Sequence, residues 1–313
     1  MPHSVSTGAV EGHLSVRAYP CGQHQRRPQR RGRGPAAVGP ARLVWLVVAD
    51  DEGGGMDEPA RGNGWDALAA WAGVKLVRPL AGGHRNEVLL AERAGVPLVV
   101  RRSTRPRAAL EWELDLLEQL RELGVATPEP VPTDDGRRHV DGLLVSGFVP
   151  GRYPTEPADW RRVADQLAVL HAATTGWPQR PGFAASGVLL DEGSGGDVRL
   201  DAMPASVAAM VRSAWLPVQQ GPRCVVHGDV GPTNVLVDGA RVTLLDWDEA
   251  RVDVPWFDYA LLPDGVGTPW PGDRAQLRAA GLAWETATCW RAEPVYARRR
   301  LAELHRLRRY TDA

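Results

Sequence analysis

Apolar positions along the chain fall into two regimes. In VKLVRPLAGGHRNEVLLAERAGVPLVVRRS they come as short runs at 76–80, 88–91 and 98–100, separated by Gly-rich turns. That pattern predicts an antiparallel meander of three strands, with a short helix before it at 66–71. Downstream, RAALEWELDLLEQLRELGV places Leu110, Leu114, Leu117, Leu120 and Leu123 at helical spacing, closed by Gly124 and followed by Pro128 and Pro130. RHVDGLLVSGFVPG predicts two further short strands and a turn. A small sheet with one helix is therefore complete by Gly151.

Past that glycine the period turns helical. DWRRVADQLAVLHAAT brings Val163, Leu167, Leu170 and His171 near one face, and ASVAAMVRSAWLPV reads as another helix after a Pro/Gly-rich connection at 177–200. Strand-like runs at 224–226 and 235–237 precede RVTLLDWDEA. The chain then ends in two helical segments, DRAQLRAAGLAWETATCW and PVYARRRLAELHRLRRY. The expected fold class is α+β with two lobes, a small antiparallel sheet lobe over 66–150 and a larger, mainly helical lobe over 151–313.

Composition adds exclusions. The 313 residues are 43% apolar and 24% charged, with a formal net charge of −1, so no global field recommends nucleic acid or an anionic membrane as partner. Three widely spaced cysteines, Cys21, Cys224 and Cys289, argue against a disulfide framework and fit a reducing cytoplasm. Lys75, the one lysine, follows Val74 and so cannot belong to a Walker A loop. Residues 1–42 hold seven arginines and a single acid, Glu11, and little to bury. A disordered leader is expected over 1–60, preferred over a basic arm for nucleic acid. LVWLVVA at 43–49 is too short to span a bilayer. Met56 reads as closer to the natural start, which would leave 1–55 outside the native product.

Candidate chemistry concentrates in VVHGDVGPTN. Asp229 and Asn234 are separated by four residues, and VLVDGARVTLLD beyond them reads as two strands joined at Asp238-Gly239, a strong hairpin turn. The hairpin returns Asp246 towards Asn234. Two carboxylates and an amide oxygen would converge, a hard donor set suited to Mg²⁺. The D-x-x-x-x-N spacing with a later Asp is that of a kinase catalytic loop and its metal-binding Asp.

HGDVGPTN, LLDWDEA and WFDYALL together resemble the aminoglycoside phosphotransferase and choline kinase-like family, relatives of protein kinases. The resemblance runs from about 74 to 310 in the sequence. LAGGHRNEV is similar to the family's phosphate-covering loop, LVVRR to its third strand, EWELDLLEQLRELGVATPEP to its first-lobe helix, and FVPG to its hinge. LAVLHA is similar to the helix ahead of the catalytic loop. The resemblance implies a protein kinase-like fold, ATP use (GTP not being excluded) and phosphoryl transfer to a small-molecule hydroxyl acceptor. Asp229 would then orient and deprotonate the hydroxyl, and Asn234 and Asp246 would hold Mg²⁺. Arg101 would clamp the α/β-phosphates, Glu113 would hold Arg101, and Gly82 and Gly83 would offer backbone N–H groups to phosphate.

Each assignment has a bland rival. Asp229 alone in a Gly-rich turn would be a turn residue; Asn234, Asp246 and the hairpin tip the reading to catalysis. His227 and His171 read as structural braces, Asp258 as a brace of the catalytic loop, and Asp248 as a solvated or loop-bracing carboxylate rather than a ligand. Arg102 competes with Arg101, and only one of two neighbouring strand residues can face the site. Gly82 and Gly83 could form an ordinary hairpin turn. For the acceptor, Trp256, Trp270, Trp284 and Trp290 with Asp264, Asp273 and Glu285 would suit an aminoglycoside or other amine, although tryptophans are commonly core. The arginines at 298–300, 306, 308 and 309 read mostly as a solvated helix face. A catalytically silent nucleotide-binding or adaptor protein and a metal-dependent phosphohydrolase remain as rival functions.

Overall fold

The computed structural model of the chain describes residues 65–80 and 86–311. The expectations for 1–60, for Met56 as a start, and for Gly82 and Gly83 lie outside the described residues. Strands β1 (Lys75–Pro79), β2 (Glu87–Arg93) and β3 (Val96–Arg102) form the expected meander, extended by β4 (Leu143–Gly147) into one antiparallel sheet in sequence order. Ala94 and Gly95 link β2 to β3 with φ of 52° and 79°, the paired left-handed geometry that matches strand twist in a two-residue hairpin. Leu98 and Val100 pack with Ala91, Leu143 and Val145 around the buried Trp71.

Two local expectations are corrected. The 66–71 segment is one 3₁₀ turn over Asp66–Ala70, because no side chain caps it and the chain enters β1 before a second turn can propagate. RHVDGLLVSGFVPG holds one strand rather than two. Val140 makes only a single bridge to Leu143, because Asp141 and Gly142 both turn left-handed between them.

Helix α1 (Arg107–Glu122) ends as its sequence predicts. Gly124 sits at φ 79°, its N–H bonds Arg121 O at 3.0 Å, and the Val125 N–H bonds Leu120 O at 2.8 Å. Leu123 falls outside the helix and is exposed. One stretch of α1, Leu110 and Leu114, meets Leu144 beneath the sheet; another, Trp112, Leu116, Leu117 and Leu120, joins the main core of the chain.

That core is built by α2 (Pro157–Ala173), α3 (Ala205–Trp215), α5 (Arg274–Thr288) and α6 (Pro294–Thr311). Within the connection between α2 and α3 a small hairpin forms from β5 (Ser194–Gly195) and β6 (Val198–Arg199). Two further ribbons cross the helical half. β7 (Cys224–Val226) pairs antiparallel with β10 (Arg251–Asp253), and β8 (Val235–Asp238) pairs with β9 (Arg241–Leu244). The β8–β9 turn is one residue later than expected: Asp238 pairs with Arg241, leaving Gly239 (φ 57°) and Ala240 as the loop. A glycine first and an ordinary residue second is the pattern of a type II′ hairpin. The one-turn helix α4 (Trp256–Tyr259) connects β10 to α5. Among the described residues no helix is long and apolar enough to cross a membrane.

Candidate active site

β7 is buried along its whole length and delivers the chain into a loop fixed from below by one carboxylate. Asp258 on α4 accepts the backbone N–H groups of His227 and Gly228, each at 2.9 Å, and is bonded to His171 Nε2 at 2.8 Å. Burial pushes the Asp258 carboxyl up, but the bond to His171 and the Gly228 N–H are among the contacts that outweigh it and hold the group below its ordinary value. His227 Nδ1 accepts the Asp229 N–H at 3.4 Å, and its Nε2 donates to Leu245 O at 2.7 Å. Both histidines thus brace the loop, as the sequence suggested.

Gly228 permits the close approach. Its φ is 87°, and a Cβ there would lie 2.7 Å from Glu249 O and 2.9 Å from Arg251 Nη1. Gly228→Ala is expected to lower stability by about 1–3 kcal/mol, read as a fall in Tm; an unchanged Tm would show that the loop does not depend on the glycine.

Asp229 emerges exposed from this loop. Asn234 donates from Nδ2 to Asp229 Oδ2 at 2.7 Å and to Asp229 O at 3.0 Å, which leaves its amide oxygen with open lone pairs. The Leu245 N–H bonds Asn234 O at 2.8 Å, which ties the residue before Asp246 to the loop. Asp246 itself has left-handed backbone, φ 57° and ψ 70°, uncommon for a residue with a side chain. Among the described residues its buried Oδ1 has no hydrogen-bond partner, with Arg101 Nη1 at 3.7 Å. Burial and the neighbouring charges of Asp248 and Asp229 push its carboxyl up against the pull of Arg101.

A buried, unpartnered carboxylate oxygen on Asp246 and an uncommitted amide oxygen on Asn234, whose backbones are tied by the Leu245 bond, are hard donors that fit a divalent cation. Among the described residues no group of three or more His, Cys, Asp or Glu has metal-holding geometry. Asn234 and Asp246 are the residues that would hold a cation here, with water and substrate filling its remaining positions, the habit of Mg²⁺.

Arg101, rather than Arg102, faces this point. Arg101 Nη2 pairs with Glu113 Oε1, whereas Arg102 pairs with Glu87 at 3.0 Å and stacks 4.2 Å over Trp65 on the other face of the sheet. Burial would lower the Arg101 pKa, but Glu113, Asp248 and Asp246 outweigh it and leave the guanidinium firmly charged. Asp248 is no solvated carboxylate. It is buried and bonds Arg105 Nη2 at 2.6 Å, and Arg105 also grips Asp197 of the β5–β6 turn at 2.6 and 2.7 Å.

Asp229 opens onto a cleft of about 290 Å³, with Trp160, Phe257, Trp284, Glu285, Tyr296 and Arg300 in its wall. Burial pushes the Glu285 carboxyl up, partly offset by Arg300 and the Tyr296 hydroxyl, which donates to Oε2 at 3.0 Å. Arg300 is therefore part of the cleft wall and not of a solvated helix face. Asp273 instead caps α5 through the Ala275 N–H at 2.9 Å, and Trp256 and Trp270 pack against each other with ring centroids 5.4 Å apart and planes tilted by 59°. Sequence reasoning missed Arg105, Arg180 and Tyr296. A lone arginine among Trp177, Pro178, Pro181 and Phe183 was a usable signal for Arg180, since such surroundings suit a buried, stacked guanidinium.

A small antiparallel sheet beside a helical half, with the Asp229 loop and the Asp246 hairpin on the helical side, is the architecture of protein kinase-like phosphotransferases. The chain belongs to the phosphotransferase enzyme family, whose model matches residues 76–304. A homoserine kinase of Gluconacetobacter diazotrophicus is 30% identical over 171 residues, covering 49% of this chain and 53% of the relative. A homoserine kinase of Gluconobacter oxydans is 31% identical over 168 residues, with the same coverage. The chain thus spans about half the length of the curated relatives it matches. Among solved structures, a choline/ethanolamine kinase family protein from Mesorhizobium loti is 21% identical, with a TM-score of 0.52 over 77% of this chain and 90% of that one. A thermostable mutant of an aminoglycoside phosphotransferase, in ternary complex with ADP and hygromycin B, is 15% identical. Its TM-score is 0.55 over 77% of this chain and 96% of that one.

Proposed function

We propose that this chain is an ATP-dependent O-phosphotransferase that moves the γ-phosphate to a hydroxyl of a small, amine-bearing molecule. The observation that carries the reading is the placement of Asp229. It stands exposed at the cleft, bonded to Asn234, while the hairpin brings Asp246 back beside Arg101 and Glu113. Asp229 aligns the acceptor hydroxyl and accepts its proton as the bond to phosphorus forms. Arg101, held by Glu113, grips the nucleotide phosphates through its planar donors. Mg²⁺ held by Asn234 and Asp246 would neutralise charge on the phosphate oxygens.

The cleft supports the acceptor class. Aromatic faces beside Asp229 and Glu285 suit an ammonium group, and homoserine and aminoglycosides, named for the relatives, both carry amines. The test is acceptor-dependent formation of ADP from Mg-ATP across amino alcohols, homoserine and aminoglycosides. Turnover with at least one amine-bearing hydroxyl compound is expected. Phosphate release at the same rate without acceptor would make the chain a hydrolase, and nucleotide binding with no turnover across the panel would make it a silent binding protein.

A further inference from the structure

Glu113 has two carboxylate oxygens, and Arg101 takes one of them. The other, Oε2, accepts from Arg180 Nη2 at 2.8 Å. Arg180 is wholly buried, and its Nη1 and Nε donate to backbone. Nη1 bonds the carbonyls of Trp247 at 3.0 Å, Asp248 at 2.9 Å and Ala250 at 3.3 Å, and Nε bonds Ala109 O at 3.2 Å. One guanidinium therefore joins the first turn of α1, the carboxylate behind Arg101 and the segment immediately after Asp246.

Arg180 arrives from the connection between α2 and α3, which is itself clipped in place. Trp112 Nε1 donates to Pro178 O at 2.7 Å, and the Gln179 amide exchanges two bonds of 2.9 Å with the Val252 backbone. Phe183 stacks 4.7 Å from the guanidinium carbon. A buried cation is costly to desolvate, and an apolar side chain of similar volume would fill the space without that cost. What the guanidinium adds is a rigid fork of donors at fixed angles.

We infer that Arg180 is a positioning residue for the nucleotide-phosphate site, setting the spacing between the Arg101–Glu113 pair and the loop that carries Asp246. The inference rests on the phosphoryl-transfer reading. It does not require Arg180 to touch any substrate. Removing it lets Glu113 swing on one partner and frees three carbonyls beside the metal-side loop, so the loss should fall on nucleotide and not on acceptor.

Arg180→Lys offers one charged nitrogen where the native side chain offers three. It is expected to weaken Mg-ADP binding and raise the KM for ATP by about 10- to 100-fold, with the KM for acceptor within about twofold of wild type. A Glu113→Gln, Arg180→Lys double variant should cost less than the product of the two single effects, since both act on one carboxylate. Equal rises in both KM values, or unchanged Mg-ADP affinity, would overturn the inference while leaving the kinase reading intact. Wild-type protein that binds no Mg-ADP would instead defeat the kinase reading, and the inference with it. Should Arg180 variants not fold, Gln179→Ala loosens the same segment from outside the site. A rise of about threefold in the Mg-ADP dissociation constant is then expected, and no change would overturn the inference.

Discussion

Asp229→Ala is expected to cut phosphoryl transfer by about 10²- to 10⁴-fold while leaving the affinity for Mg-ATP within about threefold. The carboxylate is exposed at the cleft and takes no part in the core, so the fold should survive its loss. Among the described residues its side-chain partner is Asn234, and truncation also frees that amide to rotate. Asp229→Asn separates the two effects, because the substituted amide still presents an oxygen to Asn234 but cannot take the hydroxyl proton. If positioning of Asn234 were the whole role, Asp229→Asn would remain active. Loss in both variants assigns proton acceptance to Asp229, and full activity in Asp229→Ala would refute the site. Single-turnover transfer and equilibrium binding of Mg-ATP, measured on the same preparations, decide among these.

Asp246→Asn should be as damaging to transfer, by about 10²- to 10³-fold, and should in addition weaken Mg²⁺-dependent nucleotide binding. Asparagine is the informative replacement. Asp246 has φ of 57°, a region asparagine enters more readily than other side chains, so the backbone is kept while the charge is removed. In the absence of a cation the substitution should even relieve the molecule, since the native carboxyl is buried among Asp248 and Asp229 with an unpartnered oxygen. A higher Tm together with a lost Mg²⁺ effect on ADP binding is the expected signature. An Mg²⁺ response equal to that of wild type would place the cation elsewhere.

Legibility in the sequence followed locality. The meander, α1 and the terminal helices were readable because their apolar periods and stop residues are written within each segment: Ala94-Gly95 and Gly124 sit where the chain turns. Asp229, Asn234 and Asp246 were readable because a hairpin of two short strands fixes their return. The turn itself was misplaced by one residue, since DG and GA both offer the glycine that a tight hairpin needs and only cross-strand pairing chooses between them. Arg101 and Arg102 were separable only by which face of β3 meets Trp65. Arg180, Arg105 and Tyr296 were not found, because their partners lie far off in sequence and no local period marks a residue that acts at long range. Read on charge alone, Arg300 resembled its solvated neighbours; only the fold sets it against Glu285.

Helix α1 is pinned along its length, and the consequence concerns control. Its lower stretch belongs to the same apolar mass as α2, α3 and α5, and both oxygens of Glu113 are held by arginines from different parts of the chain. Protein kinases set their activity by moving the corresponding helix and its glutamate. Here that movement would expose Trp112, Leu116 and Leu120 and break a doubly held carboxylate at once. On the proposed phosphotransferase reading, this pinning favours control by the supply of acceptor and nucleotide over control by a switch in the helix.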